Sequence, residues 1–264
     1  MRMMPEIDYS KYIYSITKHY IENCGHDENK KYKGGKAGDQ SGSECCLRTW
    51  YNRPWSCVLH YPDPDVRMLI AHLAIACALN DNIGYDQGQR TTLWKELCKV
   101  GYDPSLIKVP CEADCTSSTT AIVKCAGEFC DINPLRKLSM SITSRNMCEQ
   151  FSKAGFIVRK DKCYLTSGEY LSPGDILLYE NHHAAINITV GKYSSDSSED
   201  KVLITGGSVY IREGDSTSTS TLGVAHRGDK LDYTGVFSDK GSGWYQVKYH
   251  QKLGYVSSRY SRVV

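Results

Sequence analysis

Two side chains have the types and settings for nucleophilic chemistry. They are Cys115, in Asp114-Cys115-Thr116-Ser117-Ser118, and His183, 68 residues later in Asn181-His182-His183-Ala184-Ala185-Ile186. A thiol attacks as thiolate, and a nearby imidazole is the usual group that takes its proton. Cys115 leads into the helix-prone run from Thr119 to Ala126. That order predicts a thiol at a helix N-terminus, where unpaired backbone N–H groups favour an anion. His183 follows Pro173-Gly174-Asp175 and the strand-like run Ile176 to Tyr179, and it opens the apolar run Ala184-Ala185-Ile186. His182 points to the other face of such a strand and cannot share its role. The chemistry this pair supports is acyl transfer: sulfur adds to an amide carbonyl, an oxyanion forms, and water releases the acyl group. His183 takes the thiol proton and returns it to the leaving amine, with a backbone N–H at or after Cys115 as oxyanion donor. The plain alternatives are an inert buried thiol for Cys115 and a metal ligand or strand histidine for His183. Cys111-x3-Cys115, Cys125-x4-Cys130 and His182-His183 lack the two-residue spacing of zinc ribbons and fingers, so no metal and no cofactor is expected.

Four landmarks stand in order: Gly84-Tyr85, Asp114-Cys115-Thr116-Ser117, Pro173-Gly174-Asp175-Ile176-Leu177 and His183-Ala184-Ala185-Ile186. Together they resemble the NlpC family of papain-like cell-wall peptidases, and within it the endolysins of phages and prophage lysins of Gram-positive bacteria. The resemblance covers roughly residues 60 to 205. It implies Cys115 as nucleophile, His183 as base and the Tyr85 hydroxyl beside the developing charge. Tyr85-Asp86 followed by Arg90 also resembles the family. Asp86 and Arg90 are read first as an ion pair supporting Tyr85, and second as contacts for stem-peptide carboxylates. Two departures stand out: Thr116 replaces the usual serine but keeps a hydroxyl, and 30 residues separate Tyr85 from Cys115, more than the common spacing. The family places the residue that orients the histidine on the following strand, where residues 202 to 205 offer only Thr205. Asn187 shares a strand face with His183 but lies about 13 Å along it, so the third position stays unassigned.

At 264 residues with net charge +2, the chain has room for one large or two smaller domains and no field for polyanions, so nucleic acid is not expected as a partner. The N-terminus shows no apolar leader, and the run Met68 to Leu79 is too short to span a bilayer. Synthesis in the cytoplasm and action on the wall after release follow as the expectation. All twelve cysteines lie between residues 24 and 163. Several fall at apolar-periodic positions as small buried hydrophobes, so reduced thiols fit better than a disulfide network.

The elements that position the pair follow from periodicity. Apolar residues at Ile7, Tyr9, Tyr12, Ile13, Ile16, Tyr20 and Ile21 approach a helical period. Residues 24 to 43 read as a loop, and Gly34-Gly35-Lys36-Ala37-Gly38-Asp39-Gln40 lacks the ending and the preceding strand of a phosphate cradle. Trp50 and Trp55 frame an aromatic patch that is core if buried and a substrate wall if exposed. Helices are expected over 64–79, 91–100 and 139–154, then strands at 156–158, 176–179, 184–190 and 202–205. Helices first and strands later give an α+β fold, here a papain-like catalytic domain by resemblance. A polar run from Ser194 to Asp200 is read as a loop, with Val202-Leu203-Ile204 returning to pair with the His183 strand. The boundary then falls near Gly206-Gly207, giving domains 1–205 and 206–264. From Ser208 onward short strands alternate with Gly, Ser and Asp, as in a small barrel. Val209-x-Ile211-Arg212, Gly228-Asp229, Gly243-Trp244-Tyr245-x-Val247 and Gly254-Tyr255-Val256-Ser257 resemble a bacterial SH3-like domain. Eight basic against five acidic residues make 206–264 mildly cationic, which suits an anionic wall.

The reading is a peptidoglycan hydrolase with a wall-binding barrel, cutting a stem-peptide amide, foremost that between D-Glu and the diamino acid. The muramoyl–L-alanine amide, a catalytically degenerate wall-binding protein and a transglutaminase-like use of the thiol are the other readings.

Overall fold

The computed structural model describes residues 9–15, 17–194, 201–250 and 252–264. Ile7 and Ile16 of the expected N-terminal helix, and residues 195–200 of the polar run, lie outside them. The chain divides into two compact units between Tyr193 and Ser194. The first holds α1 (Ser10–Ile13), β1 (Tyr20–Cys24), β2 (Cys45–Thr49), β3 (Cys57–His60), α2 (Pro64–Ala78), β4 (Ile83–Tyr85), α3 (Thr92–Lys99) and β5 (Cys111–Ala113). It continues with α4 (Cys115–Cys130), α5 (Asn133–Arg136), α6 (Met147–Lys153), β6 (Ile157–Arg159), α7 (Lys162–Thr166), β7 (Ile176–Tyr179) and β8 (His183–Asn187).

Six of these strands form an antiparallel sheet in the order β2-β1-β8-β7-β3-β6. Helices α2 and α4 pack on each other and on one face of it. Asp63 caps α2 by accepting the N–H groups of Asp65 and Val66. The helix is apolar nearly all round because it is enclosed. The opposite face carries Ile21, Val58, Leu177 and Ala185 under a cover of Trp50, Tyr51, Trp55, Tyr164 and Leu165. The Pro173-Gly174-Asp175 landmark starts β7 for steric and polar reasons. Gly174 has φ +79°, and a Cβ there would meet the Arg67 carbonyl oxygen at 2.2 Å, so only glycine fits. Asp175 then accepts from His60 Nδ1 at 2.7 Å and the Ser172 N–H at 2.9 Å, tying β7 to β3.

Three expectations are corrected. Among the described residues the helical reading of 7–23 holds for Ser10–Ile13, and Tyr20–Cys24 is a strand. Ile21 through Cys24 are buried on both faces, which erases the in–out alternation that marks a strand. The helix expected over 139–154 shrinks to α6. Its first half becomes turns held by local bonds, Thr143 N–H to Asn146 Oδ1 at 2.9 Å and Ser141 N–H to Ser139 Oγ at 3.2 Å. The preference for reduced thiols over a disulfide network has one exception: Cys24 and Cys45, register partners across β1 and β2, are disulfide-bonded, and the other ten cysteines are free.

The second unit is all β: β9 (Lys201–Ile204), β10 (Ser208–Arg212), β11 (Thr221–His226), β12 (Lys230–Ser238), β13 (Trp244–Tyr249), β14 (Lys252–Ser257) and β15 (Ser261–Val263). They pair antiparallel in the order β11-β10-β14-β13-β12-β9-β15 around Val202, Ile204, Val209, Ile211, Val247 and Val256. Val202-Leu203-Ile204, expected to pair with the His183 strand, pairs instead with β12 and β15. The reason is local: β9 closes the sheet between those two strands, and its apolar Val202 and Ile204 complete that core.

Candidate active site

Helix α4 starts on a reciprocal cap. The Asp114 carboxylate accepts the Ser117 N–H at 2.7 Å, and the Ser117 hydroxyl accepts the Asp114 N–H at 2.8 Å. Cys115 is thus the first helical residue, with its own N–H and that of Thr116 outside the helix ladder. The Thr116 hydroxyl donates to Asp114 Oδ1 at 2.8 Å and accepts from Arg90 Nη2 at 2.9 Å, so threonine does here what serine could do. Arg90 Nε reaches Asp114 Oδ2 at 2.6 Å, and its terminal nitrogens reach the carbonyls of Met140 at 3.0 Å and Ile142 at 2.7 Å. The expected Asp86–Arg90 ion pair does not form. Asp86 instead accepts the N–H groups of Gly34 at 2.7 Å and Gln89 at 3.2 Å, because it closes its own turn against the preceding loop.

Around the half-buried Cys115 thiol, the N–H groups of Ala184 and Thr116 are directed at sulfur. Glu22, Tyr51 and Tyr85 are close enough to feel its charge. Tyr85 arrives there because β4 and β5 pair in parallel, with Tyr85 opposite Ala113. Parallel pairing needs a crossover of a dozen or more residues, and α3 supplies it. The long Tyr85–Cys115 spacing is that crossover. The Tyr85 hydroxyl accepts from Gln87 Nε2 at 3.1 Å, and burial raises its pKa well above the ordinary tyrosine value, so it keeps its proton.

His183 is the first residue of β8 and is buried. Its Nε2 lies 2.8 Å from Asn23 Oδ1, which also accepts the Tyr51 hydroxyl at 3.1 Å, and Trp55 stacks on the imidazole with centroids 6.2 Å apart. Trp55 is buried against the histidine, and Trp50 is half-buried in the same aromatic layer. Sequence reasoning missed Asn23 as the partner of the His183 ring, since its segment was read as helix. No local signal marks it, because this strand is buried on both faces. Asn187 serves a different histidine, His19, whose Nε2 is 2.6 Å from its Oδ1.

Burial, helped by the Arg53 and Arg48 cations, pushes the imidazole of His183 down to about 3. Burial and the neighbouring Asp114 push the Cys115 thiol up to about 12, against the pull of the two N–H groups. The resting pair is an uncharged thiol and a neutral imidazole. Glu22, fully enclosed and bonded to the Ser118 hydroxyl at 3.0 Å, is raised to about 7 by burial. Among the described residues no three His, Cys, Asp or Glu side chains gather as around a metal ion, and no helix is long and apolar enough to cross a membrane.

Residues 207–262, within the all-β unit described above, match a bacterial SH3 domain. No curated protein matches the chain. Residues 21–194 match the endolysin-like domain, and this domain beside a bacterial SH3 domain suggests a peptidoglycan hydrolase. Because that match runs from β1 through β8 and covers well over half of the residues, the chain belongs to the endolysin-like domain family.

Proposed function

We propose that the protein is a thiol-dependent peptidoglycan hydrolase of papain-like, NlpC type, which cuts the stem-peptide amide between D-Glu and the diamino acid. One observation carries the reading. Asn23 fixes the His183 ring, and the very next residue, Ala184, turns its N–H onto the Cys115 thiol. Base and nucleophile are thereby tied to one strand start.

Asn23 Oδ1 is an acceptor, so Nε2 carries the imidazole proton and Nδ1 is the basic nitrogen. As sulfur adds to the carbonyl carbon, the thiol proton passes to Nδ1, and the C–N bond later breaks as that proton moves to the amine. The resulting thioester is opened by water, which His183 deprotonates in turn. The Tyr85 hydroxyl and the unpaired N–H groups at the start of α4 are the donors available to the oxyanion. Uncharged partners suit this sequence, because charge appears only when the substrate is present to share it. The SH3 domain is the wall anchor.

Cys115→Ala is expected to abolish lysis of purified walls while wall binding persists; unchanged lysis overturns the proposal. Mass spectrometry of the released fragments identifies the bond, since new amino termini on the diamino acid mark the D-Glu amide. New termini on L-alanine would mark the muramoyl amide instead.

A further inference from the structure

One wall of a cleft of about 530 Å³ is Trp55, and the others include Arg53, Lys160, Lys162 and Leu165. Two of its features tie it to the reactive pair. Trp55 lines it and stacks on the imidazole. Arg53 lines it and stands over the Tyr51 ring, 5.4 Å from the centroid, with Arg48 over the same ring at 4.4 Å. Tyr51 in turn holds Asn23. Among the described residues none of Arg48, Arg53, Lys160 and Lys162 is ion-paired with an acidic side chain. Of these, Arg53 and Arg48 act on the His183 ring, and they work against the imidazolium that acyl transfer must form. A substrate that brings its own negative charge removes that opposition.

We propose that this cleft is the subsite for a free carboxylate of the substrate, with Arg53, Lys160 and Lys162 as its counter-charges. The inference rests on the hydrolase reading and adds a specificity to it: acidic stems are cut in preference to amidated ones. The carboxylate is either the α-carboxyl of D-Glu, on the acyl side, or that of the diamino acid, on the leaving side. Neutral cover of the cleft by apolar ligands is disfavoured by three cations around one aromatic wall.

The test uses the full chain and three synthetic tripeptides, L-Ala-γ-D-Glu-diaminopimelate as free acid, amidated at D-Glu, or amidated at diaminopimelate. One amidation is expected to lower kcat/KM about tenfold, the sum of a few exposed charge pairs of ordinary strength, and it names the carboxylate bound. The triple variant R53Q/K160Q/K162Q is expected to bring acid and amide within about twofold of each other. In the wild type, raising salt from 0.1 to 1 M is expected to shrink the preference, as the screening length falls from about 10 Å to about 3 Å. That arm holds even if the variant folds poorly. Equal rates on all three peptides, or a preference that survives the triple variant, overturn the subsite. If no peptide is cut, the hydrolase reading fails on its own. Calorimetric binding of the same peptides to the Cys115→Ala protein then decides the cleft, equal affinities for acid and amides overturning it.

Discussion

His183 Nε2 donates to an oxygen that also receives the Tyr51 hydroxyl, so the ring plane is set by two neighbours and not by its own strand. Asn23→Ala removes that restraint. A reacting nitrogen displaced by about 1 Å costs about 100-fold, and the loss is expected in kcat with KM little changed. Steady-state kinetics on the tripeptide would read it, and a wild-type kcat would take Asn23 out of this role. Glu22, next to it, presents a second effect. Burial holds its folded pKa at about 7, above the ordinary glutamate value of 4.5. Below 4.5 folded and unfolded chains both hold the proton; between 4.5 and 7 the unfolded chain releases it first, so stability falls as pH rises. Above pH 7 the full deficit applies, on the order of 3 kcal/mol. Glu22→Gln, which keeps a partner for Ser118, is expected to raise Tm at pH 8 and leave it unchanged near pH 4. A gain of equal size at both pH values would contradict the assignment.

Helix α4 presents its thiol because three separate pieces of chain meet at its first turn: Asp114 and Ser117 from the helix, Arg90 from the crossover, and the 140–142 turn whose carbonyls Arg90 holds. Arg90→Ala leaves the Asp114 carboxylate without its cation, and breaking such a largely enclosed pair costs about 3 kcal/mol. Denaturant unfolding measures that loss, and wall lysis should fall with it; an unchanged midpoint would show that the cap alone holds the turn. At this scale much was legible beforehand. The bounds of α2, α3, β7 and the start of α4 follow from caps, prolines and apolar runs that act within a few residues. Strand β1 was not, because a strand buried on both faces lacks alternation. The Asp86–Arg90 pairing failed for a related reason, since which carboxylate an arginine meets depends on partners far along the chain.

The C-terminal unit was legible as a barrel from its turn residues and short β runs, yet its first strand was assigned to the wrong neighbour. Val202-Leu203-Ile204 reads equally well as an extra strand of either sheet, and only the pairing with β12 and β15 decides it. A cut after Thr205 therefore strips β9 from its sheet and exposes a short apolar edge, a known invitation to aggregation. A cut after Tyr193 removes the strand with its barrel. Light scattering of the two truncated proteins is expected to show association only for the longer one, and wall sedimentation should show weakened binding for both; equal scattering would argue that an unpaired β9 does not drive association. The parallel β4–β5 ladder has a consequence beyond this chain. It staples the phenol to the sulfur across a gap whose length does not enter the geometry, so the loops flanking α3 are free to grow or shrink over evolutionary time. Searches that score the distance between those two landmarks will discard genuine kin, whereas searches that score who lies beside whom will keep them.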